Sequence, residues 1–147
     1  MKTRRCLIPD VVSGQTLIKL KMTDTARDAA VLMDGHHVSS VLVVDAKDKL
    51  RGIFTVRDVA RRVVGGNLDP DKTPLSQVMT NQPKCVAATE SPYNALRLMQ
   101  DSGFRHIPVT DDGTDSGKVL GIVSRKSFFP EEEALLKWEQ HLWENIR

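Results

Sequence analysis

An internal repeat constrains the fold of this chain more than any other feature of its sequence. Residues 23–45 align with residues 89–111 without a gap, at an offset of 66 residues. Identical residues fall on each other at Thr23/Thr89, Ala29/Ala95, Leu32/Leu98, Met33/Met99, Val43/Val109 and Asp45/Asp111. After a three-residue insertion near residues 114–117, Gly52-Ile53 aligns with Gly121-Ile122. Two copies of one unit bury their apolar faces against each other, and the seam between them is a natural ligand cleft.

The composition is that of an ordinary globular protein. The 147 residues suffice for one compact domain or two small ones sharing a core. The sequence contains no apolar run of about 18 residues, so no membrane span is predicted. No apolar segment follows the basic start, so no secretory signal is predicted either. Cys6 and Cys85 have no paired spacing, so we expect no disulfide framework or zinc site, and a cytoplasmic location fits. The net charge of +2 makes a nucleic-acid partner an unfavoured expectation.

The first repeat begins with a strand and a helix. Apolar residues alternate with lysines over residues 18–22, which predicts a half-buried strand. Thr23 or Asp24 is expected to cap the helix that follows, and Gly35 to end it. The inner stripe of this helix is predicted at Ala26, Ala29, Ala30 and Met33.

A hairpin and a second helix complete the first repeat. The β-branched residues of 38–44 predict a buried strand, and residues 50–55 its hairpin partner. A helix starting at Thr55 is expected to follow. Its inward positions are predicted at Val56, Val59, Ala60 and Val63. Residues 65–70 contain two glycines and a proline, which end this helix and start a linker.

The second repeat follows the same order. Residues 83–87 predict a short strand, residues 90–102 a helix with Pro92 in its first turn, and residues 105–110 and 119–124 a hairpin. Each repeat therefore reads as strand-helix-strand-strand-helix.

A further helix is predicted at the C-terminal end. Pro130 is expected to open it, because proline is tolerated in the first turn. One face is predicted to carry Leu135, Trp138, Leu142 and Ile146. Of Trp138 and Trp143, which point to different faces, we expect one to pack on its own repeat and the other to meet a partner chain.

The repeated unit resembles the cystathionine β-synthase (CBS) domain, and the chain resembles a tandem pair of these domains, the Bateman module. The residues that carry the resemblance are Thr23–Thr25, Val41–Asp45 and Gly52–Asp58 in the first copy, and Arg105–Asp111 and Gly121–Ser124 in the second. The resemblance implies an α/β (α+β) fold in which two CBS repeats pack with pseudo-two-fold symmetry through their sheets. The predicted segments are a first repeat at 7–66, a linker at 67–74, a second repeat at 75–130 and an extra helix at 131–147.

The resemblance also implies a regulatory function. CBS pairs bind adenosine-containing ligands (AMP, ADP, ATP, S-adenosylmethionine or NAD) between their repeats, and AMP is the ligand we expect most here. Such pairs usually assemble as a disc of four repeats, so a homodimer and a regulated partner protein are expected. No nucleophile, metal-binding or phosphate-loop motif supports catalysis, and the chain is not expected to be an enzyme. The alternative is a ligand-free dimerisation scaffold or a nucleic-acid-associated CBS protein.

Thr55 and Asp58 are the central candidates for the main cleft. Thr-x-x-Asp at a helix start is typical of a capping box, which is a purely structural feature. The same helix start could also receive a phosphate near Thr55, while the Asp58 carboxylate accepts hydrogen bonds from ribose hydroxyls. The resemblance assigns these two roles and places Phe54 in the same motif.

Other cleft residues follow from the resemblance alone. Arg105 and His106 match phosphate-contacting positions, although a surface arginine and a half-buried histidine are equally good readings. Lys84 and Val86 match the backbone and wall that receive adenine. Ser39 stands where relatives carry a phosphate-binding arginine, which argues weakly against triphosphate binding.

The mirror cleft is predicted to be weaker. Ser124 replaces the threonine and Ser127 the ribose-binding aspartate, and a hydroxyl is a poorer acceptor for a diol than a carboxylate. The residues expected to line this weaker cleft are Ser13, Ile18, Val38, Ser39, Ser40, Ser124 and Ser127. The adjacent His36 and His37 lack a nearby ligand set and are expected to mark a helix end, not a metal site.

Overall fold

The computed structural model describes residue 7, residues 17–125, residue 134, residues 137–138 and residues 140–144. The described residues divide into two compact units. The first unit contains residues 17–84 and 115–119, and the second contains residue 7, residues 85–114 and the described residues from 120 onward. The observed elements are helical and extended in both units, so the predicted α+β class is confirmed.

The first unit is built on a four-stranded sheet with the order β1-β2-β3-β4. Its strands are β1 (Lys19–Lys21), β2 (Ser40–Val44), β3 (Leu50–Thr55) and β4 (Thr80–Asn81). β1 lies parallel to β2, whereas the β2–β3 and β3–β4 pairs are antiparallel. The strand and hairpin predicted around residues 18–22 and 50–55 are confirmed, but the short edge strand β4 was not anticipated because two residues carry no periodicity.

Helices of the first unit pack against this sheet. They are α1 (Ala26–His36), α2 (Val56–Asp58) and α3 (Leu75–Val78), and α2 continues directly into a π-helix (Val59–Val64). The shared core of this unit comprises Ala26, Ala29, Met33, Val41, Val43, Phe54, Val63, Leu75, Val78 and Met79. The helix α3 and the segment before it therefore belong to the same core as α1.

The second unit contains a three-stranded sheet and one long helix. Its strands are β5 (Val86–Ala87), β6 (His106–Thr110) and β7 (Val119–Ser124), in the order β5-β6-β7, and its helix is α4 (Pro92–Ser102). Pro92 occupies the first turn of α4, as predicted, and Ser91 is its N-cap, so the helix begins two residues later than the predicted residue 90. Its core comprises Leu7, Val86, Ala95, Leu96, Met99, Ile107, Val109 and Val123.

The ends of α1 differ from the prediction. Thr25, rather than Thr23 or Asp24, is the N-cap, because Thr25 and Asp28 form a reciprocal capping box. Gly35 lies inside the helix, and His37 ends it in the left-handed conformation with φ of 55°. The Val38 N–H then donates to the Met33 carbonyl at 3.0 Å, the bond of a Schellman motif. The predicted strand 38–44 consequently starts only at Ser40.

The inward face predicted for the second helix is only partly correct. Val63 is buried and Val59 half-buried, but Val56 and Ala60 are exposed. The reason is the π-helical winding: Gly65 N–H donates to Ala60 O at 2.9 Å, five residues back, so an α-helical period assigns the wrong face.

The C-terminal segment is described in part. The described residues between 134 and 144 are helical, while Pro130, Leu135 and Ile146 lie outside the described residues. Trp138 and Trp143 are each 63% exposed. The prediction that one of them packs on its own repeat is therefore wrong for the described residues, since both tryptophans are mostly exposed there.

Candidate functional site

The turn between β3 and the following helix is a capping box. Thr55 is extended, with φ of −125° and ψ of 166°, and is the last residue of β3. Its N–H donates to Asp58 Oδ2 at 3.0 Å, and the Asp58 N–H donates to Thr55 Oγ1 at 3.3 Å. The structural reading of the Thr-x-x-Asp pattern is therefore confirmed.

Several donors at this helix start already have acceptors. The Thr55 hydroxyl lies 3.2 Å from Asp58 Oδ2 and donates its single proton there. The Val56 N–H donates to the backbone carbonyl of Ser39 at 3.1 Å. A phosphate near Thr55 would have to replace one of these bonds, so the turn offers a ligand fewer donors than an uncapped helix start.

Among the described residues of the first unit, Asp58 carries a largely buried carboxylate. Asp58 is only 8% exposed, although aspartate is rarely buried without a partner. Its Oδ2 faces Thr55, and its Oδ1 lies 3.5 Å from Arg62 Nε, one helical turn later. The carboxylate is thus ion-paired with Arg62, and each of its two oxygens has a partner.

Arg62 extends this arrangement to a second element, and sequence reasoning missed it. Its Nη1 donates to the carbonyls of Val78 at 3.1 Å and Met79 at 2.7 Å. These carbonyls lie at the C-terminal end of α3, where a helix leaves acceptors unsatisfied. The signal in the sequence was the i,i+4 spacing of Asp58 and Arg62, which favours an ion pair on one helix face.

Several predicted cleft residues meet at this turn. Ser40 of β2 is paired with Thr55 of β3, which puts Ser39 and Ser40 beside the capping box. Phe54 is completely buried in the core of the first unit, so its side chain has a packing role. Lys84, by contrast, is exposed and lies beyond β4.

Two residues of the predicted weaker cleft also lie in the first unit. The Ile18 carbonyl accepts a bond from Leu42 N–H at 2.9 Å, which extends the β1–β2 pairing. Val38 is 37% exposed and borders a groove of about 360 Å³. The groove is lined by Ala30, Met33, Asp34, His37, Val38, Val56 and Val59.

The remaining candidates belong to the second unit or lie outside the described residues. Arg105 is exposed, and His106 is half-buried at the start of β6. Val86 pairs with Val109 and is 8% exposed in the core, so its side chain packs inward. Ser124 is the half-buried last residue of β7. Ser13 and Ser127 are outside the described residues.

Two aspartates in loops, the half-buried Asp45 and the exposed Asp112, have lowered pKa values. The pKa of Asp45, in the β2–β3 turn, is lowered by the backbone N–H of Lys49 first, and also by the N–H of Lys47 and by Arg51. The pKa of Asp112 is lowered mainly by the backbone N–H of Thr114. Both carboxylates accept bonds from their own turn, which gives them a local structural role.

Among the residues that the structure describes, no three histidine, cysteine or acidic side chains are grouped so that they could hold a metal ion. None of the described helices has both the length and the apolar character needed to cross a bilayer.

These elements define a class: an α+β protein made of two repeated units, with a capped aspartate at the strand-to-helix turn of the first. The CBS domain family matches this chain twice, over residues 9–65 and 75–130. The chain therefore belongs to the CBS domain family, and the resemblance drawn from its motifs is confirmed.

Curated relatives are much longer than this chain. The meiotically up-regulated gene 70 protein of Schizosaccharomyces pombe is 33% identical over 135 residues, which covers 86% of this chain and 18% of that protein. An Arabidopsis thaliana CBS domain-containing protein, CBSCBSPB1, is 38% identical over 117 residues, covering 80% of this chain and 21% of its own length. The chain thus spans about a fifth of each of these relatives.

Solved structures share the fold. A CBS-domain protein from Burkholderia ambifaria superposes with a TM-score of 0.71 at 32% identity, over 78% of this chain and 80% of that one. A CBS domain protein from Pyrobaculum aerophilum, complexed with AMP, superposes with a TM-score of 0.74 at 21% identity, over 88% of this chain and 95% of that one. At this lower identity, the second likeness concerns the fold.

Proposed function

We propose that this chain is a regulatory module that binds an adenosine-containing ligand, with AMP the first candidate. The ribose would bind Asp58, and the ligand would lie in the cleft that the CBS family forms between its repeats. Binding would change the arrangement of the repeats or of a dimer and thereby signal to a partner protein. The module is proposed to act in the cytoplasm and to have no catalytic role.

The observation that carries this proposal is the buried, ordered carboxylate of Asp58. A carboxylate can accept hydrogen bonds from two adjacent hydroxyls, which is how acidic residues hold ribose in other nucleotide sites. Asp58 lies three residues after the end of β3, is ion-paired with Arg62 and has its orientation fixed by Thr55. The AMP complex of the Pyrobaculum aerophilum relative supports the ligand class.

The phosphate contacts are proposed to come chiefly from the second repeat. The hydrogen atom of the Thr55 hydroxyl is already donated to Asp58, so Thr55 is proposed to lie near the phosphate without being its main donor. Arg105 and His106 would supply the charge, because arginine grips phosphate through two donors. Lys84 and Val86 would border adenine through their backbone, and Ser39 would border the phosphate without adding a charge.

Isothermal titration calorimetry tests the proposal. The whole chain is titrated with AMP, ATP, S-adenosylmethionine and NAD under the same buffer conditions. Saturable heat with at least one of them is the expected result, with AMP binding more tightly than ATP. No heat with any of the four would contradict the proposal and favour the dimerisation scaffold. Steeply salt-dependent binding to RNA or DNA without an adenosine response would favour the nucleic-acid alternative.

The second cleft is proposed to be the weaker one. It would be lined by the residues predicted for it, with Ser127 in place of a ribose-binding carboxylate. Ser127→Ala should therefore change AMP affinity far less than Asp58→Ala. Equal losses from the two substitutions would remove the proposed asymmetry.

The assembly is proposed to be a homodimer that forms the four-repeat disc of the family. The helical side of the first unit carries exposed valines at Val31, Val56 and Val64, with 63%, 52% and 72% of their surface accessible. A second copy of the chain would cover them. Val64→Asp should shift the sedimentation coefficient toward the monomer, and an unchanged value would exclude this face from the dimer.

A further inference from the structure

Arg62 is the residue that joins the Asp58 carboxylate to a separate element of the first unit. Its Nε lies 3.5 Å from Asp58 Oδ1, and its Nη1 bonds to the carbonyls of Val78 and Met79. One planar guanidinium therefore holds the carboxylate on one side and the end of α3 on the other. A lysine has a single ammonium and could not reproduce this fixed geometry.

The segment that Arg62 contacts is itself tightly fixed. After Met79 the chain enters β4, where Asn81 pairs with Gly52 of β3. A methyl group added at Gly52 would lie 2.6 Å from Met79 Sδ and 2.8 Å from the Thr80 carbonyl oxygen. The carbonyls that receive Arg62 are therefore on a part of the backbone with little room to move, which makes them a firm anchor.

We propose that Arg62 is a positioning residue for ribose binding: anchored on the Val78 and Met79 carbonyls, it fixes the Asp58 carboxylate in the orientation that receives the diol. The inference rests on the proposed function, because it concerns the same carboxylate. Thr55 fixes Oδ2 and Arg62 faces Oδ1, so the carboxylate has lost most of its rotational freedom before a ligand arrives. A side chain that is already ordered loses less conformational entropy when the ligand binds.

A purely structural role would have a different signature. If Arg62 only satisfied the end of α3, its removal would lower the stability of the fold and leave the recognition of ribose hydroxyls unchanged. If it orders Asp58, its removal weakens only those ligands whose hydroxyls use that carboxylate. A ligand without the diol separates the two roles.

The experiment compares AMP with 2′,3′-dideoxy-AMP by calorimetry. Arg62→Gln should weaken AMP binding by roughly 5- to 10-fold and dideoxy-AMP binding by less than about 2-fold, as expected for lost preorganisation. The matched control is Arg61→Gln, which removes the same charge from the exposed neighbouring residue. It should weaken both ligands equally and by less than about 2-fold, since exposed charges are largely screened.

A double-mutant cycle gives the second measurement. On an Asp58→Asn background, Arg62→Gln should have no further selective effect on AMP, because the carboxylate through which it acts is absent. If Arg62→Gln does not fold well enough for titration, Arg62→Lys replaces it and should still lose selectivity for the diol.

The possible results distinguish this inference from the proposed function on which it rests. No binding of AMP, ATP, S-adenosylmethionine or NAD by the unaltered chain overturns the proposed function and this inference together. Normal AMP binding with equal losses for AMP and dideoxy-AMP in the Arg62 variant overturns the inference alone. A selective loss that persists on the Asp58→Asn background also overturns it, since Arg62 would then act through another group.

Discussion

Two turns in the first unit use the same pattern, Thr-x-x-Asp, and differ in what surrounds the aspartate. Thr25 and Asp28 cap α1, with their reciprocal bonds at 3.1 and 3.2 Å. Thr55 and Asp58 cap the next helix with bonds of 3.0 and 3.3 Å. Asp28 is exposed, whereas Asp58 is buried and ion-paired with Arg62.

The difference shows how far a local pattern can indicate function. The reciprocal hydrogen bonds are the same in both turns, so the pattern itself indicates only a helix start. Burial is what distinguishes them, because a buried carboxylate is costly unless paired and is seldom present without a reason. The exposed box at α1 is thus a natural control for the buried box after β3.

The largest expected effect is on ligand binding by the two aspartates. Asp58→Ala should weaken AMP binding by about 1–3 kcal/mol, the range for a charge-assisted pair of hydrogen bonds. Asp28→Ala removes the same side chain from an equivalent box and should leave affinity within the error of calorimetry. Comparable losses from both variants would mean that the buried box has no special role in binding.

A smaller effect is expected on stability, where the two boxes should behave alike. Thr25→Ala and Thr55→Ala each remove the side-chain acceptor of an N-cap, which costs about 1 kcal/mol of the free energy of unfolding. Urea unfolding followed by circular dichroism measures both. A loss confined to one variant would show that the other box contributes nothing to the stability of its helix.

Much of the fold could be predicted because it depends on periodicity and repetition. The repeat offset, the β2–β3 hairpin and the place of Pro92 in the first turn of α4 all follow from patterns in the sequence. The predictions were wrong where a competing local interaction determined the structure. Thr25 rather than Thr23 caps α1 because only Thr25 has an aspartate three residues later that completes the box.

The π-helix was beyond sequence reasoning for a related reason. The valine pattern is interpreted with an α-helical period, and no feature of residues 56–64 indicates i,i+5 hydrogen bonds. The candidate site was likewise only partly predictable from the sequence. The Thr55–Asp58 pair and the i,i+4 spacing of Asp58 and Arg62 are present in the sequence. The contact between Arg62 and the end of α3 is not, since it spans 17 residues to Met79.

A third aspartate of the first unit provides a reference with the smallest expected effect. The pKa of Asp45 lies below its ordinary value of 3.8, because the backbone N–H groups of Lys49 and Lys47 and the Arg51 side chain favour the carboxylate. A lowered pKa in the folded state means that the unfolded chain binds the proton more readily. The stability from Asp45 is therefore present above about pH 4 and lost as the pH falls through the folded pKa.

Asp45→Asn should remove this contribution without affecting the ligand. The variant should be slightly less stable than the unaltered chain at pH 6, and the difference should shrink as the pH is lowered below about 4. Thermal unfolding across this range measures it, and AMP affinity at neutral pH should not change. If the difference in stability between the variant and the unaltered chain stays constant with pH, Asp45 stabilises the turn through its shape and not through its charge. A loss of AMP affinity would mean that a carboxylate satisfied by its own turn can still influence the site, and the pairing with Arg62 would then no longer separate Asp58 from Asp45.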